Sequence, residues 1–191
     1  MGTGEPMWQA VTMAIGATIH RFVIELSDLD RGVFETLDLR VARHPSESAR
    51  FLVMRMLARC LEHEEGIEFT GGLSDVELPA LVIRDLQGGM SAWIEVGVPA
   101  SKRVHKATSR ADRVVIYAHK QADHLIATLR QAELRRADQV TVVYVDDETI
   151  DALEAALDRA AKWSVTLSDG TLYVEANGAS IVGPLYRVVL G

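Results

Sequence analysis

Residues 91–119 read SAWIEVGVPASKRVHKATSRADRVVIYAH, and their patterning decides the fold class. Residues 91–98 form a short apolar run in which Trp93, Glu95 and Gly97 share one strand face and Ile94, Val96 and Val98 the other. A short helix over 101–111 follows, with Val104, Ala107 and Ala111 inward, and RVVIYAH at 113–119 is an apolar strand of the kind buried on both faces. Strand, helix, strand is an α/β unit. Its oddity is Glu95: a carboxylate carried indoors is costly unless a partner or a ligand compensates its charge.

Working towards the N-terminus, residues 80–86 form a second apolar run, joined to 91–98 by the glycine-bearing QGG, so the two pair antiparallel. A helix is predicted over 46–64, started by Pro45, with Val53, Met56, Leu57, Cys60 and Leu61 on one buried face. Before it, residues 17–26 and 33–43 read as two antiparallel strands around the turn formers LSDLDRG. Towards the C-terminus, a helix over 121–136, a strand over 139–145 and a helix over 147–161 continue the alternation. The turn signals SDG and NG then announce a small antiparallel extension. The fold class is therefore α/β, an α+β mixed sheet, in one domain spanning residues 1–191.

Charge and composition narrow the function classes. The 191 residues are 48% hydrophobic and 25% charged, an ordinary globular balance, and the net charge of −7 opposes nonspecific coating of nucleic acid. A local basic patch remains compatible with that total. A single cysteine, Cys60, precludes an internal disulfide and fits a reducing compartment. No run approaches the ~20 apolar residues of a membrane span, and no basic residue precedes the apolar part of the N-terminus, so a cytoplasmic protein is expected. The chain has no phosphate-binding glycine loop, dinucleotide fingerprint or nucleophile elbow.

Candidate site residues cluster around the opening stretch. Glu95 fits either a metal-binding carboxylate or half of a structural ion pair. Asp85 on the preceding strand is a second carboxylate, and Glu47 at the helix start can lean towards the sheet or serve as a first-turn acid favoured by the helix dipole. The cations Lys102, Arg103, Lys106, Arg110 and Arg113 could receive phosphate. Against that, Lys102, Lys106 and Ser109 lie opposite the stripe of Val104, Thr108 and Ala111, as on a solvated helix face. Cys60 and His63 have the spacing of half a zinc site, but no second pair accompanies them, so a buried structural cysteine is expected.

The segments ARHPSE (42–47), IEFTGGL (67–73), WIEVGVP (93–99) and KRVHKATSRADRVVIY (102–117), in this order, resemble the YaeQ family of bacterial proteins. That resemblance implies a variant of the restriction-endonuclease-like PD-(D/E)XK core, at about 46–119, with additional antiparallel strands. It puts Glu95 at the second acidic position of the superfamily motif. The motif's lysine falls on Gly97, for which Lys102 or Lys106 substitutes, and the PD pair falls on Pro79 and Ala80, leaving Asp75, Glu77 or Asp85 to replace the first acid. The resemblance implies two functions. One is Mg2+-dependent cleavage or binding of DNA or RNA, with Glu95, Glu47 and Asp85 at the metal, Lys102 and Lys106 catalytic, and Arg103 and Arg110 holding substrate. The other is an inactive or weakly active descendant that serves as an interaction module for a protein partner.

Overall fold

The computed structural model describes residues 16–71 and 77–191. Ten strands form one mixed sheet, beginning with the hairpin β1 (Thr18–Asp28) and β2 (Val33–Arg43). Its turn is fastened by Asp28, whose carboxylate accepts from the Arg31 backbone amide at 3.1 Å and from Arg31 Nε at 2.6 Å. After α1 (Ala49–Leu61) come β3 (Ile67–Phe69), β4 (Leu81–Arg84) and β5 (Met90–Val96), successively antiparallel. Then α2 (Ser101–Thr108) leads to β6 (Ala111–Tyr117), and α3 (Ala122–Gln131) to β7 (Val140–Val145). Strands β5, β6 and β7 run parallel. The chain closes with α4 (Asp147–Ala155), β8 (Ala160–Ser168), β9 (Thr171–Ala176) and β10 (Ala179–Val189).

The spatial order, β2-β1-β8-β9-β10-β7-β6-β5-β4-β3, corrects the expectation of a small C-terminal extension. Strand β10 pairs with β7, and β8 pairs in parallel with β1, so β8–β10 join the N-terminal hairpin to the rest of the sheet. Turn signals reveal the local hairpins of the tail, whereas the β1–β8 pairing links residues far apart in sequence and leaves no local signature.

Helix α1 starts later than Pro45 suggested. Ser48 is its N-cap, the Oγ accepting from the Phe51 amide at 3.1 Å. Nor does it bury a single face: Leu52, Met54 and Ala58 are buried along with Val53, Met56, Leu57, Cys60 and Leu61. The sheet explains this, since every strand contributes apolar side chains to the cluster around α1. Helices α2 and α3 cover the other side of β5–β7, packing on Trp93, Val114, Ile116 and Val142. The helices predicted over 101–111, 121–136 and 147–161 all end early. Beyond α3, Glu133 and Arg136 adopt left-handed φ values of 48° and 60°, which no helix continues through, while Ala111 and Ala160 are recruited by the neighbouring strands. Strand β3 had no counterpart among the predicted elements.

Cys60 is buried within the core, and burial pushes its thiol up to about 12. His63, its companion in the half zinc site, faces Arg59 instead, with Nδ1 2.7 Å from Arg59 Nη1. Among the described residues, no helix is long and apolar enough to cross a membrane.

Candidate functional site

Alternation along β5 sends Ala92, Ile94 and Val96 into the α1 core and turns Trp93 and Glu95 towards α2. Glu95 is 8% exposed. Because α2 starts directly after β5, its first turn folds back over the strand and brings Arg103 onto the carboxylate. Arg103 Nε donates to Oε2 at 2.7 Å and Nη2 to Oε1 at 3.3 Å; the Trp93 indole donates to Oε2 at 3.1 Å. The same guanidinium bonds the Leu78 carbonyl at 2.7 Å and lies 5.7 Å from the Trp93 ring centroid. This is the two-pronged fit for which arginine, not lysine, is built. Burial pushes the Glu95 carboxyl above its ordinary range, with Arg103 and Trp93 pulling it back.

The other expected members of the site stand elsewhere. Lys102 is exposed and makes no ion pair among the described residues. Lys106 pairs with Glu77, which also lies 3.9 Å from Arg110. The cation beside Glu95 is thus Arg103, not Lys102 or Lys106, and Arg103, expected to hold substrate, is paired with Glu95. Asp85 sits at the far end of the β4–β5 hairpin, where Oδ1 accepts from the amides of Gln87 (2.9 Å) and Gly89 (2.8 Å). It braces the turn rather than joining Glu95. Asp75 lies outside the described residues.

Glu47 does not meet Glu95 either, for it lies on the α1 side of the sheet. It is buried, and Oε1 accepts from Arg55 Nη1 at 2.9 Å. It is not a first-turn acid, because α1 starts beyond it at Ala49. Its Oε2 and the Arg55 Nε are both buried without a hydrogen-bond partner among the described residues, and burial pushes the Glu47 carboxyl up against the pull of Arg55.

Gly97 closes β5 with φ at +116°, and its amide donates to the Tyr117 carbonyl at 2.9 Å. A Cβ here would find space, its nearest neighbour being Phe51 Cε2 at 3.6 Å, but the backbone conformation is one that side-chain-bearing residues rarely adopt. A lysine here would be strained by the chain's path and not by crowding.

One polar cluster has no counterpart in the sequence reading. Glu62, at the end of α1 and 4% exposed, accepts from the Tyr117 hydroxyl (2.8 Å), Arg113 Nη1 (2.7 Å) and Arg187 Nη1 (3.2 Å). Burial, followed by the negative charge of Glu62, pushes the Tyr117 phenol well above its ordinary value. A signal was available: Tyr117 lies in a strand read as covered on both faces, so its hydroxyl had to find a buried acceptor.

A divalent cation of the Mg2+ type needs several oxygen ligands converging on one point. Both Glu95 oxygens are occupied by α2, Asp85 braces a turn, and Glu47 lies across the sheet. Among the described residues, no three His, Cys, Asp or Glu side chains converge as a metal site would require. The residues present do not fit such an ion at Glu95.

Comparison with known proteins agrees with the family resemblance. The family model described as YaeQ protein matches residues 13–183. Uncharacterised YaeQ proteins of Salmonella typhi and Escherichia coli (strain K12) are 32% and 31% identical over 163 residues, covering 85% of this chain and 90% of theirs. Crystal structures of YaeQ proteins from Xanthomonas axonopodis pv. citri and Pseudomonas syringae superpose with a TM-score of 0.83 each. They are 30% and 31% identical, covering 90% of this chain and 98% and 96% of those chains. The match in sequence and in the mixed α/β architecture places this chain in the YaeQ family.

Proposed function

We propose that this chain is a binding protein on a PD-(D/E)XK-like core whose hydrolytic site has become a charge-paired cluster, leaving it inactive or weakly active. The succession α1, antiparallel β3–β5, α2 and β6, with Glu95 on β5, supports that core. The observation that carries the functional reading is the Arg103–Glu95 pair, in which the acid expected to hold a metal already has a built-in counter-charge on both oxygens. The exposed side of α2, with Lys102, Lys106 and Arg110, then supplies a contact surface for an acidic partner, either a nucleic-acid backbone or an acidic protein surface.

Calorimetry with Mg2+ and Mn2+, beside cleavage assays on DNA and RNA, tests this reading. The expected result is no heat of metal binding and no cleavage that Glu95→Ala abolishes. Titration with single-stranded and duplex oligonucleotides at low and raised salt tests the surface; salt-sensitive binding weakened by Lys102→Glu points to phosphate, and no binding points to a protein partner. The unpartnered Glu47 Oε2 favours a second reading, an Mg2+-dependent nuclease. That reading requires a metal-binding heat and a cleavage activity, both lost in Glu47→Gln.

A further inference from the structure

Among the described residues, strand β2 ends the sheet with an open edge, and its charges specify what can pair with it. The backbone of β1 sets the polarity of that edge. Arg21 N–H donates to the Arg159 carbonyl at 2.7 Å and Leu29 N–H to the Leu167 carbonyl at 2.9 Å, so odd-numbered residues of β1 turn their backbone groups to β8 and even-numbered ones to β2. Their β2 partners Glu35, Leu37, Leu39 and Val41 are thereby satisfied. Thr36, Asp38, Arg40 and Ala42 direct theirs outward. The Ala42 carbonyl also accepts from Arg55 Nη2 at 2.8 Å, which leaves one of its two lone pairs.

We propose that a second copy of this chain docks on this edge, β2 against β2 in antiparallel register about Leu39, extending one sheet into the other. In a two-fold antiparallel pair, outward-turned residues must face outward-turned residues, so the axis falls on a residue and never between two. Centring on Asp38 or on Arg40 sets like charges face to face, and centring on Leu37 sets Glu35 against leucine. Centring on Leu39 sets Asp38 opposite the partner's Arg40, Glu35 opposite the partner's Arg43 and Leu37 opposite the partner's Val41, each twice, with the two Leu39 side chains on the axis. Arg40 is exposed and lies directly across from Arg21, whose guanidinium holds the neighbouring Asp38 at 2.6 Å, so the partner's Arg40 would add a second cation to Asp38. Arg40 itself makes no ion pair among the described residues. Pairing through one strand is a small interface, so the dimer forms in a concentration-dependent equilibrium and weakens with salt.

Sedimentation equilibrium of the full chain over a range of concentration is the test. Wild type is expected to shift from monomer to dimer mass as concentration rises, while Asp38→Arg and Arg40→Asp alone each stay monomeric. An equimolar mixture of the two variants is expected to recover the dimer, because opposite charges then face each other at both contacts, one with its signs exchanged and one as in wild type; misfolded chains could not rescue one another. Leu39→Cys is expected to cross-link under oxidising conditions while Thr36→Cys is not, since only position 39 meets itself across the axis. A wild-type monomer at every concentration overturns the proposal. So does a dimer that survives Asp38→Arg.

Discussion

Glu95 and Glu62 are both buried carboxylates held by arginine, and they differ in what they hold together. Glu95 answers to neighbours in sequence: Trp93 on its own strand and Arg103 on the next helix. Glu62 joins the end of α1 to Arg113 and Tyr117 on β6 and to Arg187 on β10, so one side chain ties a helix to two strands distant along the chain. The first is a local pair that an apolar pair could replace. The second is a tertiary junction in which the acid is shared by three partners, of which Arg113 also reaches Glu64 at 3.4 Å.

The largest effect is expected at the junction. Glu62→Ala removes the anion that accepts from the fully enclosed Tyr117 hydroxyl and from Arg187, and leaves Arg113 with Glu64 alone, at 3.4 Å. The loss is expected at about 3–4 kcal/mol, at the lower end of the range for broken buried pairs because Arg113 and Arg187 can still reach water. Urea unfolding measures it. A loss below about 1 kcal/mol would show that the cluster is ornamental and that the two acids are alike.

At Glu95 the comparison can be sharpened by removing one partner or both. Arg103→Ala is expected to cost about 2–3 kcal/mol at neutral pH, since the carboxylate stays buried with only Trp93 donating to it. The double variant Glu95→Leu, Arg103→Met is expected to recover most of this, as buried ion pairs replaced by apolar side chains often do. The pH dependence has a definite sign. Burial raises the folded-state Glu95 carboxyl above its ordinary 4.5, so between those two values the folded protein binds more protons than the unfolded chain. Its contribution is therefore greatest at low pH and is lost as pH rises through the raised value. Glu95→Gln, which cannot ionise, should gain stability relative to wild type over that rise, and the Arg103→Ala penalty should shrink on acidification. A difference flat with pH would place the carboxyl at its ordinary value.

These two clusters also show which parts of the molecule were legible in the sequence. The burial of Glu95 could be read because the residue interrupts an apolar strand flanked by helix-forming sequence, and the solvated face of α2 could be read from helical spacing. The identity of its partner could not: the basic run offers several cations, and the start of α2 after Pro99 selects Arg103. Glu62 stands in the acidic run EHEE, which looks like a surface turn until β6 and β10 arrive from far along the chain. The same non-locality hid the β1–β8 pairing and made the tail look peripheral. Left-handed residues such as Glu133 and Arg136 were invisible for another reason, since neither is a residue type that favours that conformation.

Gly97 gives a middle-sized test of what the backbone at the end of β5 permits beside Glu95. At φ +116°, Gly97→Lys is expected to lose about 1–3 kcal/mol to backbone strain while meeting no severe clash. Gly97→Ala should lose a comparable amount, because the cost lies in the Cβ and not in the amine. If lysine were tolerated where alanine is not, the ammonium would have found a partner at the strand end, and the site would be closer to a hydrolytic one than the Arg103 pair implies.

The smallest effect on stability is expected at Lys102, and this is what makes it informative. Exposed on α2, it sits one residue from the arginine that neutralises Glu95, yet makes no ion pair of its own among the described residues. Lys102→Glu is expected to change the unfolding free energy by no more than about 0.5 kcal/mol. Any loss of partner binding in this variant then belongs to the surface and not to the fold, whereas the same loss in Arg103→Ala would be confounded with the disturbance of Glu95. Adjacent cations on one helical turn thus separate two environments on α2: Arg103 turns inward onto Glu95, and Lys102 faces outward.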